Sequence, residues 1–173
     1  MPSAALPLTR LLVPVLAMGA VILASNELVQ HPVNHHLAGI NLADLLTWGA
    51  FTYPLAFLVT DTTNRVFGPG RARQVVYVGF ALGVFLTLMT AVAIALAATA
   101  SNGLTVVQAL FRDPDAFAML RTAIASGSAF LTAQLLDIFV FNRLRGLSWW
   151  KAPLASSFIG SVVDTALFFS IAF

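Results

Sequence analysis

An all-α bundle of membrane-spanning helices is the fold class that the sequence predicts, and three observations predict it. The 173 residues are 59% hydrophobic and only 9% charged, against about a quarter charged in a soluble domain. Five apolar stretches are long enough, or nearly so, to cross a bilayer as helices, which takes about 20 residues each. The basic residues sit in short polar connections between those stretches, as they do in loops at a membrane face. The net charge of +2 and the pI near 9.7 are therefore assigned to topology, and nucleic-acid binding is excluded. The absence of cysteine excludes disulfides, thiolate metal sites and cysteine nucleophiles. One transmembrane domain over residues 1–173 is expected, and no segment has the alternating pattern of a membrane β-strand.

The first span is expected from Leu11 to Leu28. Arg10, the run from Leu11 to Leu23 and the pair Ala24-Ser25 also fit a secretory leader. The further apolar segments decide for a first span, since a secreted protein would lack them. A polar stretch with Gln30, His31, His35, His36 and Asp44 follows. The second span is placed from Trp48 to Phe67, with Pro54 near its start and Asp61, Asn64 and Arg65 near its end. The Gly68-Pro69-Gly70 breaker should stop it and open a loop with Arg71 and Arg73. The third span, Gln74 to Ala98, is the most apolar. A loop with Asn102, Gly103, Asp113 and Pro114 leads to the fourth, Phe117 to Phe141, and the fifth runs from Pro153 to Phe173.

Arg10, the Arg71–Arg73 segment and the segment with Arg143, Arg145 and Lys151 fall on one side of a five-span bundle. Arg112, beside Asp113 and Asp115, and Arg121 fall on the other. The positive-inside rule then places the N-terminus in the cytoplasm and the protein in the bacterial inner membrane. Trp48, Trp149 and Trp150 stand at span edges, as interfacial anchors do. The apolar end at Phe173 leads us to expect a sixth span beyond it.

Ionisable residues at membrane depth carry the functional signal. Asp61, Asp137 and Asp164 each fall inside a span, where a carboxylate costs roughly 2.5–3.5 kcal/mol and faces a partner or a wet cavity. Asp61, Asn64 and Arg65 share one helical face. An Asp61–Arg65 ion pair at the interface is one reading of them, and a site role for Asp61 is the other. Gln134 and Asp137 are i, i+3 neighbours that offer amide and carboxylate together, which suits an amide-rich heterocycle. Plain inter-helix hydrogen bonding is the alternative. Ser157, Gly160, Ser161 and Asp164 form a small-residue packing stripe whose far end, Asp164, reaches toward a shared cavity. Gly79 and Gly83 form a GxxxG pair and indicate close helix contact. Asn26 ends the first span and is read as buried.

Enzyme chemistry is not expected. His31, His35 and His36 share one loop without a carboxylate at ligand spacing, so no metal is assigned. There is no catalytic triad arrangement, nucleotide-binding loop or dinucleotide fingerprint, and no cofactor is expected. The motif Pro54-Leu55-Ala56…Asp61-Thr62 echoes Pro153-Leu154-Ala155…Asp164-Thr165. Such an echo fits an inverted repeat, a device that places substrate sites at the repeat interface.

Three blocks in order carry a family resemblance. The first is Thr47-Trp48-Gly49-Ala50-Phe51 through Tyr53-Pro54 to Thr60-Asp61 and Arg65-Val66-Phe67-Gly68. The second comprises Arg121, Ser126, Gln134, Asp137 and Phe141-Asn142-Arg143-Leu144-Arg145. The third comprises Trp149-Trp150, Ala152-Pro153, Ser156, Asp164-Thr165 and Ile171-Ala172-Phe173. From Asn26 onward the chain resembles the queuosine precursor transporters, the vitamin-uptake-like family. The resemblance implies a six-helix carrier of the cytoplasmic membrane that imports the 7-deazaguanines preQ0 and preQ1, the cyano and aminomethyl precursors of the tRNA nucleoside queuosine. A 7-deazaguanine edge offers N1–H and a 2-amino group to one carboxylate, and its 6-oxo group needs a donor. Asp137, Gln134, Asp61, Asn64, Asp164 and Asn26 are the polar candidates for that site, with Tyr53 and Trp48 to stack on the ring.

The partners expected are the lipid bilayer, the small-molecule 7-deazaguanine and, among proteins, a second copy of the chain. Two other functional classes remain. One is a substrate-capturing subunit driven by a separate ATPase, which is not favoured and which co-purification would reveal. The other is a membrane scaffold without transport, which a ligand-induced thermal shift would exclude.

Overall fold

The computed structural model describes residues 11–28, 31–37, 39–44, 46–102 and 105–172. Arg10, Gln30, Gly103 and Phe173, all used in the sequence reading, lie outside them.

Five long helices occupy the places of the five expected spans. They are α1 (Leu12–Leu28), α2 (Gly49–Phe67), α3 (Pro69–Asn102), α5 (Pro114–Leu144) and α6 (Lys151–Ala172), with a short α4 (Val106–Arg112) between the third and fourth. Among the described residues, three stretches are long and apolar enough to cross a membrane by length and composition: Pro69–Ala97, Leu120–Leu144 and Lys151–Ile171. A shorter apolar run, Leu12–Ser25, lies in α1. In α2 the hydrophobic run is broken by the polar residues of the site. The protein is a multi-pass membrane protein of all-α class. Large apolar side chains such as Phe85, Ile124, Leu154 and Phe158 are exposed along the helices, which is the surface that lipid covers.

Two connections differ from the sequence reading. The Gly68-Pro69-Gly70 breaker does not open a loop: Gly68 alone turns the chain, at φ 85°, and α3 starts at Pro69. Proline suits the first helical position, where its missing N–H costs nothing. Arg71 and Arg73 therefore sit in the first turns of α3 instead of in a loop. The connection before α5 holds the short α4, which the sequence reading missed. Its signal was present in Thr105-x-x-Gln108, where the Thr105 side chain accepts from the Gln108 amide and the Gln108 side chain accepts from the Thr105 amide.

The polar stretch after α1 also has structure. His36–Leu37 (β1) pairs antiparallel with Ile40–Asn41 (β2) around Gly39, at φ 83°. Val33 N–H bonds to the Leu46 carbonyl at 3.0 Å and Trp48 N–H to the His31 carbonyl at 2.9 Å, closing the stretch on itself before α2 begins.

Packing is close where small residues stand. A Cβ on Gly79 would lie 2.7 Å from Met18 Cγ and 3.0 Å from Ile22 Cδ1, so the GxxxG pair seats α1 on α3 as expected. A Cβ on Gly160 would lie 2.7 Å from Phe57 Cε1 and 3.3 Å from the Ala133 carbonyl oxygen. Gly160 is thus where α6 meets both α2 and α5. The main apolar core, with Met18, Ala56, Val75, Val76, Phe130 and Ile138, lies among α1, α2, α3 and α5.

Candidate functional site

The polar residues of α2 recur as Thr60, Asp61, Thr63 and Asn64, one patch of one helical face, and all four are buried. Two hydrogen bonds fix that face against α5. The Thr60 hydroxyl donates to Gln134 Oε1 at 2.6 Å, and Asn64 Nδ2 donates to the Ile138 carbonyl at 3.4 Å. Four residues along α2 correspond to four along α5, so the two helices run parallel in one register. Helix α6 runs the other way. Ser156 Oγ donates to Asp61 Oδ1 at 3.3 Å and Ser157 Oγ to Asp61 Oδ2 at 2.9 Å.

Asp137 stands one turn beyond Gln134 on α5, fully buried. The Asp61 carboxyl and the Ser156 and Ser157 hydroxyls are its polar neighbours. Among the described residues, neither Asp137 oxygen has a hydrogen-bond partner at bonding geometry, and neither has Gln134 Nε2. Buried polar groups in folded proteins are nearly always satisfied. Here an acceptor pair and a donor are left open side by side, on adjacent turns of one helix.

One end of the cluster is tied by arginines. Arg145 donates to the Asn64 backbone carbonyl and, at 3.1 Å, to Asn64 Oδ1. Arg65 donates to the Trp149 carbonyl. Both guanidiniums lie over the buried Phe141 ring, at 5.4 Å for Arg65 and 5.8 Å for Arg145. The ion pair considered for Asp61 and Arg65 is therefore not formed. Arg65, in the last turn of α2, reaches the α5–α6 connection, whereas Asp61, one turn earlier, meets the serines of α6.

Of the residues singled out from sequence, the structure brings together Asp61, Asn64, Gln134 and Asp137. Asn64 has its amide and its oxygen engaged, which makes it a clamp between α2, α5 and Arg145. Asp164 is half-buried and stands two turns beyond Ser157 on α6, about 10 Å along the axis, outside the cluster. Trp48 is 46% exposed and packs on Phe51 at 5.7 Å between ring centres, also away from it. The side chains of Asn26 and Tyr53 lie outside the described residues. Sequence reasoning gave Thr60, Ser156, Ser157 and Arg145 no part in the site. A hydroxyl carries no charge signal, and Arg145 was read as a topology determinant. The cues were position and motif: Thr60 adjoins Asp61, Ser157 falls on the small-residue stripe, and Thr60, Ser156 and Arg145 lie in the blocks that carry the family resemblance.

A cavity of about 660 Å³ lies between α1 and α2, lined by Val13, Pro14, Ala17, Leu58, Val59, Thr62, Thr63 and Phe67. Its lining is mostly apolar and includes none of Asp61, Gln134 or Asp137, so the polar cluster is the candidate site. Among the described residues no group of three His, Asp or Glu side chains could hold a metal ion.

Comparison with known proteins identifies the family. The chain is 39% identical over 160 residues to a Haemophilus influenzae protein named "Probable queuosine precursor transporter", covering 88% of this chain and 65% of that one. It is 38% identical over 154 residues to the Escherichia coli "Queuosine precursor transporter", covering 88% of this chain and 64% of that one. A Bacillus subtilis relative, again named "Probable queuosine precursor transporter", is 29% identical over 133 residues, covering 73% and 56%. The chain thus spans a little under two thirds of the length of the first two relatives. No solved structure matches it. Residues 47–173, which include α2, α5 and α6 and so the whole polar cluster, match the family model described as "Putative vitamin uptake transporter", and the chain belongs to that family of transporters.

Proposed function

We propose that the protein imports 7-deazaguanine precursors of queuosine, preQ0 and preQ1, across the bacterial inner membrane. The observation that carries this reading is the open trio on α5: the two Asp137 oxygens and Gln134 Nε2, buried and, among the described residues, without a partner at hydrogen-bonding geometry. A 7-deazaguanine edge is its complement. N1–H and the 2-amino group donate to one carboxylate in a charge-assisted pair, and the 6-oxo group accepts from the adjacent amide. Family membership and the relatives' names point to the same substrate class. Asp61, held by Ser156 and Ser157, supplies a second carboxylate beside the first, which favours the cationic aminomethyl form electrostatically.

In this reading the N-terminus and the α5–α6 connection face the cytoplasm. Support comes from the basic residues: Arg65, Arg71, Arg73, Arg143, Arg145 and Lys151 all lie near the junction where α2 ends, α3 begins, α5 ends and α6 begins. The test is salvage. The full-length protein is expressed in a bacterial strain that cannot make preQ0 and lacks its own importer. Queuosine is expected in its tRNA when preQ0 is supplied at low concentration, and its absence, with the protein present in the membrane, would overturn the proposal.

A further inference from the structure

Hydroxyl groups in these helices have a common habit. Thr63, Thr87, Ser128 and Ser170 each donate to the carbonyl four residues back in their own helix, the usual way to satisfy a threonine or serine in an apolar helix. Thr60 departs from it. It is fully buried, and its hydroxyl crosses to α5 to donate to Gln134 Oε1 at 2.6 Å. That bond has a chemical consequence. A primary amide presents an acceptor on one arm and a donor on the other. With the oxygen arm taken by Thr60, the arm left open is Nε2, a donor, and it is buried with no hydrogen-bond partner among the described residues. One turn along, the Asp137 oxygens are open as acceptors. Without Thr60 the amide could turn over and present its oxygen instead.

We propose that Thr60 sets the specificity of this site at the 6-position of the substrate: it holds the Gln134 amide so that only its NH2 arm is presented, and the site therefore takes a heterocycle with an acceptor there. The inference rests on the transport reading above and goes beyond it by assigning a positioning residue that does not itself touch the substrate. The selected class is a 6-oxo purine-like ring with an N1–H and a 2-amino group. A ring whose 6-substituent is a poorer acceptor is disfavoured by the Gln134 arm, and that preference depends on Thr60.

A suitable pair of probes changes the 6-position and nothing else on the recognised edge. 7-Cyano-7-deazaguanine and its 6-thioxo analogue both keep N1–H and the 2-amino group, but sulfur accepts hydrogen bonds weakly. Each competes for uptake of labelled 7-cyano-7-deazaguanine by the full-length protein in proteoliposomes, and the ratio of their half-inhibitory concentrations is the readout. Thr60→Val and Thr60→Ser leave Gln134 itself in place, so a change of ratio between those two reports how its amide is held. Thr60→Val keeps the shape and removes the hydroxyl, and it is expected to shrink the oxo-over-thioxo preference about three- to tenfold, the range of one neutral hydrogen bond. Thr60→Ser restores the donor and is expected to keep the wild-type ratio. Gln134→Met is expected to shrink the ratio as Thr60→Val does, and the double variant no further, since the two act through one bond.

A wild-type ratio in Thr60→Val, or additive losses in the double variant, would overturn the proposal and leave the Thr60–Gln134 bond a packing contact. If Thr60→Val does not fold, Thr60→Ala, which also removes the hydroxyl, takes its place: a ratio that shrinks in Thr60→Ala and not in Thr60→Ser supports the proposal, and a wild-type ratio in Thr60→Ala overturns it. Failure of the wild-type protein to take up 7-cyano-7-deazaguanine at all is a separate result, and it removes the transport reading rather than the role of Thr60 within it.

Discussion

Asp137 carries more of the functional argument than any other side chain, because it is buried and no basic residue stands at i±3 or i±4 on its helix. Arg65 and Arg145 are engaged with the Trp149 and Asn64 carbonyls and with the Phe141 ring. Asp137→Asn keeps the shape but turns one acceptor into a donor, which would face the N1–H and 2-amino donors of the proposed substrate. Loss of a charge-assisted bond costs about 1.5–3 kcal/mol and an unpaired buried donor about 1–3 more. Uptake per folded molecule is expected to fall at least tenfold, at about 1.4 kcal/mol per decade. Uptake of preQ0 normalised to folded protein in the membrane checks this. A normal value would mean that Asp137 serves only to join helices, and the site would move to Asp61. Much at this scale was legible in the sequence: Asp61, Gln134 and Asp137 stood out because charge and amide are costly at membrane depth. The hydroxyls were not, since serine and threonine are common in membrane helices and only contact geometry separates those that bond their own backbone from those that reach a neighbour.

At the scale of the helix, the site exists because α6 can approach α2 and α5 closely enough for Ser156 and Ser157 to reach Asp61. Gly160 sets that approach, one turn from Ser157. Gly160→Ala places a methyl 2.7 Å from the Phe57 ring and 3.3 Å from the Ala133 carbonyl oxygen, a rigid ring and a backbone atom. Gly79→Ala meets Met18 Cγ at the same 2.7 Å, but a methionine side chain rearranges readily. Gly160→Ala is expected to destabilise the protein by about 1–3 kcal/mol, the usual range for overpacking, and Gly79→Ala by clearly less. Thermal unfolding in detergent ranks the two, and equal effects would refute the account of α6 packing. Helix existence and order were readable from apolar run lengths. The start of α3 and the short α4 were not, because turn and cap chemistry at Gly68-Pro69 and Thr105-x-x-Gln108 was outweighed by the expectation that glycine, proline and polar residues mean loop.

For the molecule as a whole, the positive residues gather near one end of the bundle and the partners of the site gather just inside it. Reporter fusions test the orientation proposed from that asymmetry. A fusion after Gly146, in the connection between α5 and α6, is expected to report the cytoplasm, and one after Thr105, between α3 and α4, the opposite side. Periplasmic activity after Gly146 would reverse the topology and with it the side from which Arg65 and Arg145 close the cluster.

Sequence alone determined the class of this protein and singled out most of the polar residues that the candidate site brings together. A chain with 9% charged residues has too few solvated groups for a globule in water, and carboxylates within apolar runs mark function because their desolvation demands a reason. The three ordered blocks of resemblance pointed to the family that the comparisons show. Tertiary structure decided which of those carboxylates share a site. Asp61 and Asp137 meet through the parallel register of α2 and α5, whereas Asp164 lies two turns away along α6. It also decided that Asn64 clamps helices and that Gln134 presents its donor arm. None of this follows from spacing within one helix. Helical periodicity states which residues share a face, but the register between helices 74 residues apart is set by side-chain packing across the interface, and packing is a property of the assembled bundle.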